Sequence, residues 1–352
     1  MSKYNFHLSK DSFAKKPSET SRRSFIKKGA MMLGAFTLAD FGGIPKALAS
    51  GEKSKVYFTS DISTNGLLKI YETVKQNIGG KVAIKLHSGE PHGPNLLPIE
   101  MIKGLQATIK DSTIVECNVL YGSPRQNTKG HLETIKINGF DFCPVDIMDS
   151  EGDATLPING MNELLEKWSK VSNSPMSKGR HLKEVSVGKH FFDYDSMLVY
   201  THFKGHAMGG FGGSLKNLAI GCASGQGGKS EIHIENGSWE SGEPFLERMV
   251  EAGKGMIDHF GEKITYINVL KNISVDCDCD AHGKKPTCRD IGIVASTDIL
   301  AVDKASVDLV YALPQNELKD IKERIESRKG LHQLEYMKFL NMGNDNYELI
   351  EI

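Results

Sequence analysis

From Val82 to the C-terminus, short alternating apolar runs are separated by helix-length amphipathic stretches, and this alternation leaves few folds open to the chain. Val82, Ile84 and Leu86 alternate in a strand that ends at His87. Pro98 then opens a helix with Ile99, Ile102, Leu105 and Ile109 on one face. Residues 113–119 predict the next strand. Residues 127–137 predict a helix with Leu132 and Ile135 inward, ended by Gly139. A third strand is expected over 143–147. The stretch 149–180 is less regular, with one helix over 161–168, and reads as an insertion or small subdomain. Further strands over 196–201, 264–270, 291–295 and 347–352 alternate with helices over 244–260, 302–313, 317–327 and 331–340. Strands spaced by helices of this length predict an α/β fold: a largely parallel or mixed sheet covered by helices on both faces. There is no internal repeat.

The N-terminus is of another kind. Ser21-Arg22-Arg23-Ser24-Phe25-Ile26-Lys27 is a twin-arginine motif, followed by an apolar run over 29–44 and an A-x-A site at Ala47-Leu48-Ala49. Residues 1–49 are therefore expected to be a signal peptide read by the twin-arginine export machinery. Residues 50–352 would form one α/β domain, periplasmic or otherwise exported. The apolar run is too short and Gly-rich for a lasting membrane span. A formal net charge of −1 gives no basis for a nucleic-acid partner.

All six cysteines follow the signal: Cys117, Cys143, Cys222, Cys277, Cys279 and Cys288. Cys117 and Cys143 lie in apolar runs and read as buried hydrophobes. Cys277 and Cys279 sit among Asp276, Asp278 and Asp280, whose charges oppose a thiolate unless a cation offsets them. Metal or cluster ligation is the favoured reading, with Cys222 as third sulfur, Cys288 a weaker fourth, and one of His202 and His206 as imidazole ligand. A redox-active disulfide and inert surface cysteines are the alternatives.

A Gly-rich stretch, 209–217, runs into a predicted helix. Gly210, Gly212, Gly213, Lys216 and Asn217 are candidates to hold a cofactor or anion at the helix start. The spacing matches neither the dinucleotide-binding nor the Walker pattern, so a tight turn serves equally well. Lys204 is a candidate anion partner or a plain solvated lysine. His87 and Glu90, on a loop after a strand, could move protons or simply form a turn. Tyr121 and Arg125 could bind an anionic substrate. His87, His202 and the Cys277/Cys279 pair each lie past the carboxyl end of a predicted strand, so parallel strands would bring them to one rim.

The chain resembles the broad bacterial and archaeal domain-of-unknown-function family 362. The resemblance rests on Lys85-Leu86-His87-Ser88-Gly89-Glu90, Tyr121 with Arg125, His131-Leu132-Glu133-Thr134, His202-Phe203-Lys204-Gly205-His206 and Phe211-Gly212-Gly213-Ser214-Leu215-Lys216-Asn217-Leu218. It continues through Cys277-Asp278-Cys279, Asp290-Ile291-Gly292-Ile293 and Ala301-Val302-Asp303-Lys304-Ala305-Ser306-Val307-Asp308. Many relatives carry a ferredoxin-like cysteine insertion before the Cys-x-Cys segment. Residues 223–276 here hold no cysteine, so those clusters do not transfer.

The expectation is an exported metal- or iron–sulfur-binding protein, an oxidoreductase or metal-assisted enzyme on a small anionic molecule. Its cofactor would be a metal ion or an iron–sulfur cluster. Its partners would be that anion or a redox protein. A non-catalytic metal-binding or maturation protein and a thiol–disulfide protein are the alternatives.

Overall fold

The computed structural model describes residues 53–164 and 181–352. The twin-arginine motif lies outside them, as does most of the helix expected over 161–168, of which 161–164 are helical. The first elements are β1 (Ser54–Thr59), α1 (Thr64–Tyr71), β2 (Val82–Lys85), α2 (Ile99–Gln106), β3 (Ser112–Glu116), α3 (Thr128–Ile137) and β4 (Val145–Ile147). A hairpin of β5 (Asp153–Pro157) and β6 (Glu184–Gly188) follows. After β7 (Ser196–His202) come a tight hairpin, β8 (Lys204–His206) with β9 (Gly210–Gly212), and the helices α4 (Ser214–Cys222) and α5 (Gly228–His233). A smaller hairpin, β10 (Ile234–Glu235) with β11 (Ser238–Trp239), leads into α6 (Glu243–Phe260). The chain closes with β12 (Ile264–Leu270), β13 (Gly292–Ser296), α7 (Ile299–Tyr311), α8 (Gln315–Ser327), α9 (His332–Phe339) and β14 (Tyr347–Glu351).

Eight strands form one sheet in the order β14-β1-β13-β12-β7-β2-β3-β4. Seven run the same way; β13 pairs antiparallel with both β1 and β12. Every residue of β7 and of β12 is buried, as expected of inner strands covered on both faces. Successive residues feed opposite cores. Met197 and Val199 join the core under α4 to α9, while Leu198 and Tyr200 join the core under α1 to α3.

Four differences from the sequence reading have local causes. Strand β1 and helix α1 were not expected; both are short, with their apolar residues confined to Val56-Tyr57-Phe58 and to Leu67, Leu68, Ile70 and Tyr71. Residues 204–206 form a strand where a loop was expected. The strand expected over 113–119 ends at Glu116, whose carboxylate turns inward to Ser88. Leu132 is 42% exposed rather than inward, because α3 buries His131 and Thr134 beside Ile135. That face is drawn in by His131, which sits 3.8 Å from Glu116 at the end of β3.

Candidate functional site

The chain lays β2, β3 and β4 side by side in one direction, then returns to place β7 and β12 on the other side of β2. The order therefore reverses between β2 and β7. In open α/β sheets, the crevice beyond the carboxyl ends of strands at such a reversal is where ligands bind. His87 lies just past β2, His202 ends β7, and the cysteine loop follows β12.

Gly205 is what lets that loop approach. A Cβ there would stand 2.3 Å from the Val275 carbonyl oxygen, and the Gly205 N–H donates to Ser274 O at 2.8 Å. Arg324 of α8 holds the far side through Asp276 Oδ1, 3.2 Å away. The result sets Cys277 and Cys279 beside His206, with the ligand atoms of all three within 4.8 Å of one another. Such a cluster could hold a metal ion, and two thiolates with one imidazole suit a soft divalent ion that keeps an open position.

The orientation of the rings opposes this. His206 Nδ1 accepts the backbone N–H groups of Met208 (3.1 Å) and Gly209 (2.9 Å). Likewise, His87 Nδ1 accepts the Gly89 N–H at 2.9 Å. A ring nitrogen that accepts carries no proton, so each neutral ring keeps its proton on Nε2. Burial lowers both imidazoles, His206 to about 4, so the neutral form prevails. His206 Nε2 lies 4.0 Å from Cys279 Sγ, both imidazoles act on Cys277, and the backbone N–H of Cys279 reaches the Cys277 sulfur at 3.3 Å. A metal on His206 Nε2 would require an imidazolate.

Those neighbours favour the thiolate form of Cys277. The Cys279 thiol beside it lowers Cys277 most; burial opposes, and His206 and His87 help carry it well below the usual thiol value. Cys279 moves the other way, because its proton is shared with Cys277. Asp278 does not oppose the thiolate as its position in the sequence suggested, since His202 Nδ1 (2.8 Å) and Lys204 Nζ (2.9 Å) take its carboxylate.

Around the sulfurs lies a cavity of about 290 Å³ lined by five cationic side chains: Lys85, Arg125, Lys204, Lys216 and Lys229. Three are matched by carboxylates. Lys85 faces Glu116, Arg125 faces Glu90, and Lys204 faces Asp278. Lys216 and Lys229 have no ion pair among the described residues. The cavity is thus short of negative charge and suited to an anion.

Several expected site residues have other tasks. His202 cannot ligate a metal, because both ring nitrogens face acceptors, Asp278 Oδ2 and Asn272 O. Cys222 is not the third sulfur: it lies fully buried at the end of α4 beside Cys117, where burial pushes its thiol up to about 12. Cys288 points to the Ile273 carbonyl. Glu90 is not free to move protons, since its oxygens accept from Arg125, Tyr121 and Ser123. It positions Arg125 and Tyr121, which do line the cavity. Asn217 lines the cavity, but its amide is used by Lys85, Tyr200 and Thr201. Gly210, at φ +77°, gives its space to Gly330 rather than to a ligand.

Helix α4 does not offer its start to an anion. The N–H groups of Ser214 and Leu215 already donate to the Asp303 carboxylate, at 2.7 and 2.9 Å. Gly212, Gly213 and Lys216 nonetheless line the cavity, as do His87 and Lys204. Sequence reading missed Lys229, His233 and Trp239 in the same wall. A usable signal was present, since Gly225, Gly227 and Gly228 form a second Gly-rich turn directly before Lys229.

Residues 82–308, well over half the chain, match the family described as Domain of unknown function (DUF362). The chain belongs to this family. In DUF362 terms, the matched span runs from the first residue of β2 to α7 and contains His87, His206, Cys277, Cys279 and both unpaired lysines. No curated protein matches the chain. Among solved structures it resembles a Thermotoga maritima protein from a structural genomics consortium, at 13% identity and a TM-score of 0.38, over 76% of this chain and 58% of that one. It also resembles the lactate racemase apoprotein from Thermoanaerobacterium thermosaccharolyticum, at 15% identity and a TM-score of 0.38, over 74% of this chain and 58% of that one.

Proposed function

We propose that the cavity is the reaction site for a small anionic molecule and that the Cys277 thiolate attacks it. One observation carries this reading: two imidazoles, each with Nδ1 taken by backbone N–H groups, flank the thiol pair, His87 against Cys277 and His206 with Nε2 4.0 Å from Cys279 Sγ, and both favour charge on Cys277. The sulfur supplies the electron pair of the new bond, and negative charge developing on the ligand meets Lys204 or Lys216. Cys279 is close enough to return a proton, or, where the anion is a two-electron oxidant that leaves Cys277 as a sulfenic acid, to attack that sulfur, closing a Cys277–Cys279 disulfide with release of water. The latter would make the protein a thiol-based oxidoreductase. The twin-arginine motif and A-x-A site support an exported location for this chemistry.

The proximity of three ligand atoms favours a second reading, a metal-assisted site on Cys277, Cys279 and His206. Those residues would hold the ion, which would polarise the anion or a water. Proximity is the weaker guide, because a hydrogen-bonded thiol–thiolate pair is equally close. An iron–sulfur cluster has less support, since neither Cys222 nor Cys288 joins the group.

Anaerobically purified protein with residues 1–49 removed tests both readings through its iron, zinc and copper content and its iodoacetamide reactivity. Fast alkylation of one cysteine, lost in Cys277→Ser, with substoichiometric metal, is the expected result. One metal ion per chain, lost in Cys279→Ser and shielding Cys277 from alkylation, would establish the metal reading instead. Slow alkylation without metal would remove both.

A further inference from the structure

We infer that the wall formed by Lys229, His233, Lys216 and Trp239 is a recognition subsite for a flat ring bearing an oxyanion, a carboxylate or a phosphate. This names the substrate class for the reaction proposed above and rests on that reading only for what happens after binding.

The charge comes from two lysines. Lys229 is 4% exposed, and its ammonium makes one hydrogen bond among the described residues, to the Ala223 carbonyl. An ammonium has three N–H groups, and a buried cation without an anionic partner is costly. Burial lowers the Lys229 amine accordingly. Lys216, which lines the same cavity, makes no hydrogen bond or ion pair among the described residues, although its charge helps hold Cys277 down. An oxyanion between the two would satisfy both.

The shape comes from two rings. His233 lies four residues after Lys229 on α5, so the two side chains share a face of that helix. It is 7% exposed, and its Nδ1 is buried with no hydrogen-bond partner. The imidazole stacks on Phe245, with centroids 4.8 Å apart and planes at 24°. Its opposite neighbour is Trp239, 5.1 Å away, which is 53% exposed on the β10–β11 hairpin and lines the cavity. A large exposed indole at the mouth of a cationic cavity offers a planar apolar face, and the orphaned His233 nitrogen offers a polar contact behind it. Burial, with Lys216, His206 and Lys229 nearby, pushes His233 down to about 3. A bound oxyanion would raise it.

Calorimetric titration of the protein lacking residues 1–49 with benzoate, phenyl phosphate, cyclohexanecarboxylate and inorganic phosphate tests the assignment. Benzoate and phenyl phosphate, the two flat-ring anions, should bind, their order telling carboxylate from phosphate, and cyclohexanecarboxylate should bind more weakly than benzoate. Trp239→Ala should weaken the two flat-ring anions by about tenfold while leaving inorganic phosphate unchanged. Lys229→Met and Lys216→Met should each weaken every anion by about tenfold or more. The His233 ring resonances should titrate at higher pH with phenyl phosphate bound. Anion binding by the parent protein together with slow alkylation of Cys277 would defeat the thiolate reading and leave this one standing. Absence of binding by both benzoate and phenyl phosphate, or equal binding by the parent, Trp239→Ala and Lys216→Met proteins, would overturn the subsite. The exposed Trp239 and half-buried Lys216 keep the test open if Lys229→Met does not fold.

Discussion

Asp303 and Ser214, 89 positions apart, meet through a 2.7 Å hydrogen bond from the Ser214 N–H to the Asp303 carboxylate. The second oxygen takes the Leu215 N–H, and Asn268 donates to the first at 2.8 Å. An internal carboxylate therefore fills the place at the start of α4 that a Gly-rich turn suggested for a ligand. The same segment still contributes Lys216, in the first turn of the helix.

Replacing Asp303 tests this arrangement. Asp303→Ala leaves two buried N–H groups without acceptors and should cost about 2–4 kcal/mol in urea unfolding, by the usual penalty per unsatisfied group. Asp303→Asn keeps one carbonyl acceptor and should cost less. If the alanine variant were as stable as the parent, α4 would not depend on this cap.

Cys277 should be the fast-reacting thiol at neutral pH. Removing one imidazole donor, in His206→Ala or His87→Ala, should slow its alkylation by about tenfold, the worth of one hydrogen bond to a charged group. His87→Gln, which retains an N–H donor, should recover part of the rate. Equal rates in all four proteins would mean that the imidazoles do not stabilise the sulfur.

Glu90 and Arg125 form a buried pair at 2.6 Å, with Arg125 only 1% exposed. Burial alone would raise the Glu90 carboxyl, but Arg125 and the hydroxyl donors bring it below its ordinary value. Glu90→Ala strands the guanidinium and should destabilise the fold by about 3–5 kcal/mol. Thermal and urea unfolding would measure this, and anion affinity should change as Arg125 shifts.

Away from the cavity, Glu247 of α6 lies between His332 (3.0 Å) and His181 (2.6 Å). Burial opposes charge on His332, yet Glu247 and Glu335 raise it to about 9, while the histidines bring the buried Glu247 down to about 2. The His332 contribution is complete below its ordinary 6.5 and is lost as pH rises through 9. The Glu247 contribution is complete above its ordinary 4.5 and is lost as pH falls through 2. Stability from this cluster should therefore be greatest between about pH 4.5 and 6.5. His332→Gln should remove its alkaline limb in a pH series of unfolding midpoints.

Periodicity determined the sheet-and-helix character of this protein. Inner strands such as β7 and β12 are near-continuous apolar runs because both faces are covered, and the helices repeat apolar residues every three to four positions. The chemistry-bearing segments were legible as well, since His87, His202 and the cysteines each follow a strand, and parallel strands bring such positions to one edge. Tertiary structure decided which of those residues act together. Side-chain partnership depends on distances between segments far apart in the chain, so only the fold revealed that Asp303 fills the α4 start, that Asp278 holds His202 and Lys204, and that Lys229 makes no ion pair among the described residues. Residue spacing carries no information about which atom of a ring faces inward. The backbone N–H groups that turn His87 and His206 toward the Cys277/Cys279 pair are present in every sequence, and only the folded hairpin and loop aim them.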